Sequence, residues 1–317
     1  MREKIFAMLL AAEDYLSGEE ISQTLGISRA AVWKHIKALQ NEGYQIEGLR
    51  KKGYRLLANG LHQEEIAPFL TTKWLGREQQ FWPEVGSTND IAKKAGDETA
   101  ANGLVVFADQ QTAGRGRLGR PWSSPAGEGI WFSLLLRPPL EPSLAPQLTL
   151  ATAVGIAQGL RELGFAAGIK WPNDIFIKGK KLCGILTEMR ADMDRINWVV
   201  IGCGINALTK DFPPELQSIA TSLALEQPQQ PVIRAKVAAT ILNHLEATYE
   251  LLYQEGFAPI RQQWLDLTIT LGKEVKVQTV NQLWYGTAQT MTPEGHLVVR
   301  LADGTERTVI SGDVMFS

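Results

Sequence analysis

Gln111-Thr112-Ala113-Gly114-Arg115-Gly116-Arg117-Leu118-Gly119-Arg120-Pro121-Trp122 sits between two apolar runs, Leu104 to Ala108 and Ile130 to Leu136. Three glycines interleaved with three arginines let a backbone bend closely around a ligand while guanidinium and amide N–H groups face an anion. At a chain end the same composition would be a solvated tail. Between two core strands it is a loop that closes over a polyphosphate or a carboxylate. The spacing is neither the GxxxxGK[ST] of a P-loop nor a GxGxxG opening a dinucleotide-binding helix, so neither of those folds surrounds it. Around the loop, apolar runs at Asp174 to Ile177, Cys183 to Met189 and Trp198 to Ile201 alternate with helical stretches at Gln147 to Leu163 and Val232 to Gln254. That mixture implies a sheet backed by helices. Beyond about Leu271 come closely spaced strands, parted by turn residues such as Pro293-Glu294-Gly295 and Asp303-Gly304, the pattern of a small barrel.

The N-terminal part has another character. Ile5, Phe6, Leu9 and Leu10 fall at helical spacing, and Ser17 with Glu20 forms a capping box for a second helix that packs Ile21 and Leu25 inward and stops at Gly26. Ser28 caps a third helix whose Val32, Ile36 and Leu39 share one face. Helix, glycine-containing turn and helix make a helix-turn-helix. After Gly43, short extended runs at Tyr44 to Ile46 and Tyr54 to Leu57 flank Leu49-Arg50-Lys51-Lys52-Gly53, a basic turn that reads as a wing. Ala58 to Gln63 is small and polar, a linker that gives units over residues 1–63, 64–270 and 271–317.

A length of 317 residues with 44% hydrophobic and 21% charged residues excludes a disordered chain. The net charge of −2 excludes a whole-molecule electrostatic grip on nucleic acid, but the first sixty residues hold nine Lys or Arg against seven Asp or Glu, and the rest 23 against 27. Cys183 and Cys203 lie in apolar, glycine-flanked stretches without CxxC spacing and read as buried free thiols in a reducing compartment. Met1 to Ala12 carries Glu3 and is followed by Glu13 and Asp14, so it is neither a signal peptide nor a membrane span, and a cytoplasmic protein is expected.

Four further segments bear on chemistry. In Lys170-Trp171-Pro172-Asn173-Asp174, Trp-Pro fixes the backbone and two short polar side chains precede a strand, although alone this is equally a tight turn. A turn at Lys178-Gly179 makes a hairpin that delivers Lys181, in Lys180-Lys181-Leu182-Cys183-Gly184-Ile185-Leu186, to the lip of an apolar strand. Gly86-Ser87-Thr88-Asn89-Asp90 is by itself a helix N-cap for Ile91 to Ala95, yet its stacked hydroxyl and amide groups also suit a neutral polar ligand. The glycines of Gly202-Cys203-Gly204-Ile205-Asn206 let a strand lie against a flat or bulky ligand.

In order and spacing, GSTN at 86–89, QxxGRGRxGRxW at 111–122, KWPND at 170–174 with KKLCGIL at 180–186, and GxGIN at 202–206 resemble the biotin-protein ligase family. SRAAVWKHIKAL at 28–39 and the basic wing are similar to the bifunctional members, which also repress biotin-synthesis genes, and the last fifty residues resemble their C-terminal domain. The fold this implies is α+β: an N-terminal winged helix-turn-helix, a central mixed sheet backed by helices as in a class II synthetase-like ligase core, and a small SH3-like β-barrel.

Family members join biotin to ATP, giving biotinoyl-5'-AMP and pyrophosphate, and then pass the biotinoyl group to a lysine of a biotin carboxyl carrier domain. The resemblance implies that Ser87, Thr88, Asn89 and Gln111 line the ureido end of biotin. It puts Gly114, Arg115, Gly116 and Arg117 in the loop over carboxylate and phosphate, Arg120 on phosphate, Trp122 against the adenylate, and Gly184 and Asn206 in the wall. Lys181 and Arg117 would stabilise charge developing on the α-phosphate, and Asp174 would orient or deprotonate the acceptor lysine. Mg2+ accompanies ATP on its phosphates, with no protein metal ligand. Leu208 to Ser222 resembles a second mobile loop, closing over adenine. The adenylate-bound chain would form a homodimer that presents two recognition helices to a palindromic operator. Ser28, Arg29, Ala30, Lys34 and Lys37, with Lys51 and Lys52, are the expected DNA contacts. Trp33 stands where a polar residue is expected and could serve the groove, an interface or the core. Leu118 and Pro121 occupy positions that are often basic in the family. A lipoate-type acyl ligase, a ligand-sensing repressor without ligase activity, and a pure enzyme with a vestigial winged helix are the competing readings.

Overall fold

The computed structural model describes residues 1–317 apart from 13, 42, 43, 45, 57–59, 99, 280, 281 and 317, and of residues 3 and 11 the backbone alone. Helices α1 (Arg2–Ala11), α2 (Gly18–Leu25) and α3 (Arg29–Asn41) precede an antiparallel hairpin of β1 (Ile46–Leu49) and β2 (Gly53–Leu56). Ser17 Oγ accepts from the Glu20 amide at 3.0 Å, and Ser28 Oγ from the Ala31 amide at 3.2 Å, so both expected caps form. Gly26 ends α2 in the left-handed region at φ 63°. Ile5, Phe6, Leu9, Ile21, Val32, Ile36 and Leu39 form one core, whereas Leu10, expected on the inner face of α1, is 36% exposed because it lies a further 100° round the helix from Leu9. The first wing strand begins at Ile46 rather than Tyr44; Gly43, Gln45 and Leu57 lie outside the described residues.

Of the expected linker, Ala58 and Asn59 lie outside the described residues, but Gly60, Leu61 and His62 are buried. Leu61 belongs to the main core, and the His62 ring stacks on Tyr44 and against Phe81, each at 3.8 Å between centroids. Sequence polarity was misleading because one leucine and one amphipathic ring are enough to dock the segment.

After the short α4 (Gln63–Ile66) come β3 (Gln79–Val85), α5 (Thr88–Asp97), β4 (Val105–Gln111), β5 (Gly129–Leu136), α6 (Ala145–Glu162), β6 (Gly168–Lys170), β7 (Asp174–Ile177), β8 (Lys180–Ala191), β9 (Ile196–Asn206), α7 (Leu223–Glu226), α8 (Arg234–Glu255) and α9 (Phe257–Leu267). The strands form a seven-stranded sheet ordered β3-β4-β5-β9-β8-β7-β6, parallel only between β3 and β4. Every residue of β5, third in that order, is buried: Ile130, Phe132, Leu134 and Leu136 face the core under α6, α8 and α9, while Leu135 joins Ala92 and Ala95 of α5 on the other side. Helices on both faces explain why these strands read as unbroken apolar runs rather than alternating ones. The Trp171–Pro172 peptide is cis. Lys178 (φ 47°) and Gly179 (φ 81°) make the turn of the expected β7–β8 hairpin.

The last strands, β10 (Glu274–Gln278), β11 (Leu283–Met291), β12 (Leu297–Arg300), β13 (Glu306–Val309) and β14 (Asp313–Phe316), form an antiparallel sheet ordered β13-β12-β11-β10-β14. Its Val275, Val277, Leu297 and Val314 are continuous with the main core. Cys183 and Cys203 are free and buried, and burial pushes both thiols up. Among the described residues no helix is long and apolar enough to cross a membrane.

Candidate functional site

A cavity of about 540 Å3 opens over β5, β8 and β9, under the loop of residues 115–123. One end is neutral and tightly wired. The α5 helix begins at Thr88, with Ser87 at its cap position but making no side-chain cap bond, so that hydroxyl stays on the cavity wall. Thr88 donates through both its amide and Oγ1 to Gln111 Oε1 (2.9 and 3.1 Å), and Gln111 Nε2 donates to Ser124 Oγ at 3.0 Å. The fully buried Ser133 Oγ lies 2.7 Å from Thr88 Oγ1 and 2.6 Å from Asn89 Oδ1. Asn89 Nδ2 donates to Glu188 Oε2 at 2.7 Å, and Lys93 closes on the same carboxylate at 2.9 Å. Thr88, Asn89 and Gln111 are thus each held by named partners, which suits a ligand with its own fixed donors and acceptors.

The other end is cationic, and its cations are held by acids. Arg115 forks onto Asp90 (2.6 and 3.0 Å); that guanidinium, with Lys93 beyond it, holds the Asp90 carboxyl below the usual carboxylate range. Lys181 Nζ lies 2.7 Å from Asp174 and 5.3 Å from the Trp122 ring centre. Arg117 donates to Asn173 Oδ1 at 3.3 Å and to the Gly312 carbonyl at 3.1 Å, and Arg120 pairs with Asp313. Lys170, directly across the β6–β7 ladder from Asp174, sits over the rings of Phe176 and Phe316 at 5.4 and 5.6 Å, and burial pulls its amine below the usual range. Trp122 packs against Gly184 and Gly204, where any Cβ would meet it, with its Nε1 buried and unpartnered among the described residues.

The cavity brings together Ser87, Thr88, Asn89, Gln111, Arg115, Gly116, Arg117, Arg120, Trp122, Asp174, Lys181, Gly184 and Asn206. Gly114 is not on its wall: it lies beneath, where a Cβ would strike the Trp122 carbonyl and Ser124 Oγ, so it shapes the loop. Leu208 to Ser222 forms the opposite wall through Thr209, Phe212 and Leu216, and is tied to β8 by the Lys181 amide donating to Ile219 at 2.7 Å and the Thr221 amide to Lys181 at 2.9 Å. Sequence reasoning assigned no role to Asn173, Phe132, Ser133, Glu188 or Asp313, and read Gly202 only as a place where the strand lies close to a ligand. Asn173 and Gly202 stand inside quoted motifs and were within reach; Ser133, Glu188 and Asp313 meet the site only through the fold.

A second hollow, of about 720 Å3, runs between α3 and the wing, lined by Arg29, Ala30, Lys37, Arg50, Lys51 and Lys52. Ser28 and Lys34 are exposed beside it. Trp33 is 56% exposed, which removes the core option for it.

Family models match three stretches of the chain: an HTH domain over residues 1–55, the biotin/lipoate A/B protein ligase family over 82–206, and the biotin protein ligase C terminal domain over 270–317. The bifunctional ligase/repressor BirA of Bacillus subtilis is 42% identical over 309 residues, 96% of this chain and 94% of its own length. The biotin--[acetyl-CoA-carboxylase] ligase of Mycobacterium tuberculosis is 31% identical over 73% of this chain and 86% of its own. The biotin protein ligase from Aquifex aeolicus, solved in complex with biotin and ATP, superposes with a TM-score of 0.67 at 25% identity, covering 76% of this chain and all of that one. The chain therefore belongs to the biotin/lipoate A/B protein ligase family and carries, ahead of the ligase domain, the helix-turn-helix of its bifunctional ligase/repressor members.

Proposed function

We propose that the chain is an ATP-dependent biotin-protein ligase that also represses transcription, with a DNA-binding unit over 1–63, a catalytic unit over 64–270 and a small SH3-like barrel over 271–317. The observation that carries the ligase reading is the polarity of the cavity, with neutral hydrogen-bonding groups at one end and Arg115, Arg117, Arg120 and Lys181 at the other. Biotin has the same polarity, a neutral ureido head and a carboxylate tail. Ser87, Thr88, Asn89 and Gln111 bind the head. Arg115, Gly116 and Arg117 hold the carboxylate against the α-phosphate of ATP, while Gly184, Asn206 and Trp122 pack the adenylate.

As the carboxylate oxygen attacks the α-phosphorus, Lys181 and Arg117 stabilise the added negative charge and pyrophosphate leaves. For Lys181 this means exchanging Asp174 for phosphate, and the freed Asp174 then accepts a proton from the acceptor lysine of a biotin carboxyl carrier domain as its amine attacks the biotinoyl carbonyl and AMP departs. Asp174 and Asp313 are each engaged by a cation; Mg2+ would be held by the triphosphate oxygens, where it would help neutralise the charge that pyrophosphate carries away. Adenylate ordering the 115–123 and 208–222 segments would favour a homodimer that sets two α3 helices, with Arg29, Lys34, Lys37, Lys51 and Lys52, on operator DNA in the cytoplasm. The exposed basic groove of the N-terminal unit favours this repressor reading over a vestigial one.

The test is intact-mass analysis after incubation with biotin, MgATP and a carrier domain. The carrier gains the mass of one biotinoyl group, and Lys181→Ala slows this by at least about a hundredfold, the scale of losing a charge-stabilising group at the transition state. No gain from a folded protein and a competent acceptor leaves the sensor-repressor reading; a gain with lipoate in place of biotin leaves the lipoate-type one.

A further inference from the structure

We infer that Trp33 reads a thymine methyl group in the major groove, so that the DNA partner of α3 presents a thymine to the N-terminal half of that helix. The inference rests on the DNA-binding reading above. Val32, Ile36 and Leu39 turn one side of α3 into the core, which leaves Arg29, Ala30, Trp33 and Lys37 on the outer side. Trp33 is the fifth residue of α3, within the stretch of a recognition helix that meets base edges. Its indole is 56% exposed and, among the described residues, has no ring contact or hydrogen bond. An apolar group this large gains free energy when a partner covers it.

Charge decides which partner. The groove beside Trp33 is lined by Arg29, Lys37, Arg50, Lys51 and Lys52, and its one acid among the described residues, Glu19, is engaged by Arg29 at 3.7 Å. A second copy would bring the same positive charges against these. A polyanion is attracted, and within the major groove of a DNA duplex the apolar group on a base edge is the 5-methyl of thymine. Trp33 therefore supplies sequence preference where the surrounding lysines and arginines supply affinity.

The experiment selects duplexes from a random-sequence pool with the full chain, biotin and MgATP, then replaces thymine by deoxyuridine position by position in the selected duplex. At one thymine per half-site, uracil should weaken wild-type binding about fourfold, the worth of one buried methyl group, and should leave Trp33→Ala unaffected. The salt dependence of binding is the same for both proteins, because no phosphate contact is lost. Uracil substitutions that weaken both proteins alike, or neither, overturn the inference while the DNA-binding reading stands. So does a change in sedimentation of Trp33→Ala with biotin and MgATP but no DNA, since Trp33 then serves a protein contact. If the wild type enriches no sequence, the DNA-binding reading itself falls and takes this inference with it. An unchanged salt dependence of Trp33→Ala binding, which a misfolded α3 and wing would lose, excludes misfolding as the cause.

Discussion

Gly202 carries no side chain because Asn89 fills the space where one would be: a Cβ there would drive into the Asn89 carboxamide. Asn89 cannot yield, since its Oδ1 is 2.6 Å from Ser133 Oγ, its Nδ2 donates to Glu188, and it is 4% exposed. Gly202→Ala should therefore cost about 1–3 kcal/mol of stability, the range of an overpacked core site or a broken buried hydrogen bond, and weaken biotin binding at least tenfold. Denaturant titrations check the origin, because Asn89→Ala in the same chain removes the clashing atoms and should make the two losses strongly non-additive; additive losses would locate the clash elsewhere. Residues of this kind mark the limit of reading a motif. The glycines at 202 and 204 were legible as a place where a backbone comes close to something, but not that the first receives a protein side chain and the second the Trp122 ring. Asp313 was illegible altogether: Arg120 precedes it by 193 positions, and an aspartate that follows a glycine at the start of a strand gives no local sign of its partner.

The α5 helix holds half of the neutral end of the cavity, and both of its ends are fixed. At its start, Thr88 is hydrogen-bonded to Gln111; at its finish, the Arg137 guanidinium donates to the Gly96 carbonyl at 2.8 Å, to Ala100 at 3.3 Å and to Asn197 at 2.6 Å. One side chain thus ties the end of α5 to the start of β9 and satisfies the Gly96 carbonyl in the helix's last turn together with two carbonyls beyond it. Arg137→Met should cost about 2–4 kcal/mol by stranding those carbonyls, and the loosened helix should raise the KM for biotin more than it lowers kcat. Arg137→Lys should recover little, because an ammonium cannot reproduce the fork. Chemical denaturation and steady-state kinetics measure the two effects, and unchanged stability would show that water replaces Arg137 without loss. At this scale the sequence was most readable where an element is buried on both faces or capped by its own residues: β5, β7, α6 and α8 fall where their apolar runs do, and Ser17, Gly26 and Ser28 bound α2 and α3 as their chemistry requires. The β3 strand escaped because Pro83 interrupts it, which an edge strand with one pairing partner tolerates, and β6 escaped because it is three residues long. The Gly/Arg loop was legible as an anion-binding loop, but its present pairing with Asp90 and Asp313 was not, since those acids lie on α5 and β14.

Apart from a small apolar cluster between α5 and the sheet, two cores divide the described residues unequally. The helix-turn-helix core closes on itself, whereas the other face of the catalytic sheet, α6, α8, α9 and the C-terminal strands share a single one. The chain crosses between them at Leu61 and His62, and Leu61 is wholly buried on the catalytic side. Composition puts the cut at residue 63, and the burial of Leu61 on the catalytic side favours one a few residues earlier. A chain starting at Gly60 loses the Tyr44–His62 stack yet keeps Leu61 beneath the main core, so it should transfer biotin normally, bind no DNA, and melt close to the main transition of the intact chain. A chain starting at Glu64 also lacks Leu61 and opens a cavity the size of that side chain, worth about 2–5 kcal/mol. In a domain of this size that lowers the melting temperature by roughly 5–15 °C. Scanning calorimetry of the two truncations separates the cases: a shared melting temperature would mean that Leu61 contributes nothing to the catalytic core and that the two units meet at residue 63 after all, while a gap of the expected size means that the DNA-binding unit is joined to the ligase by packed residues, through which order in one can reach the other.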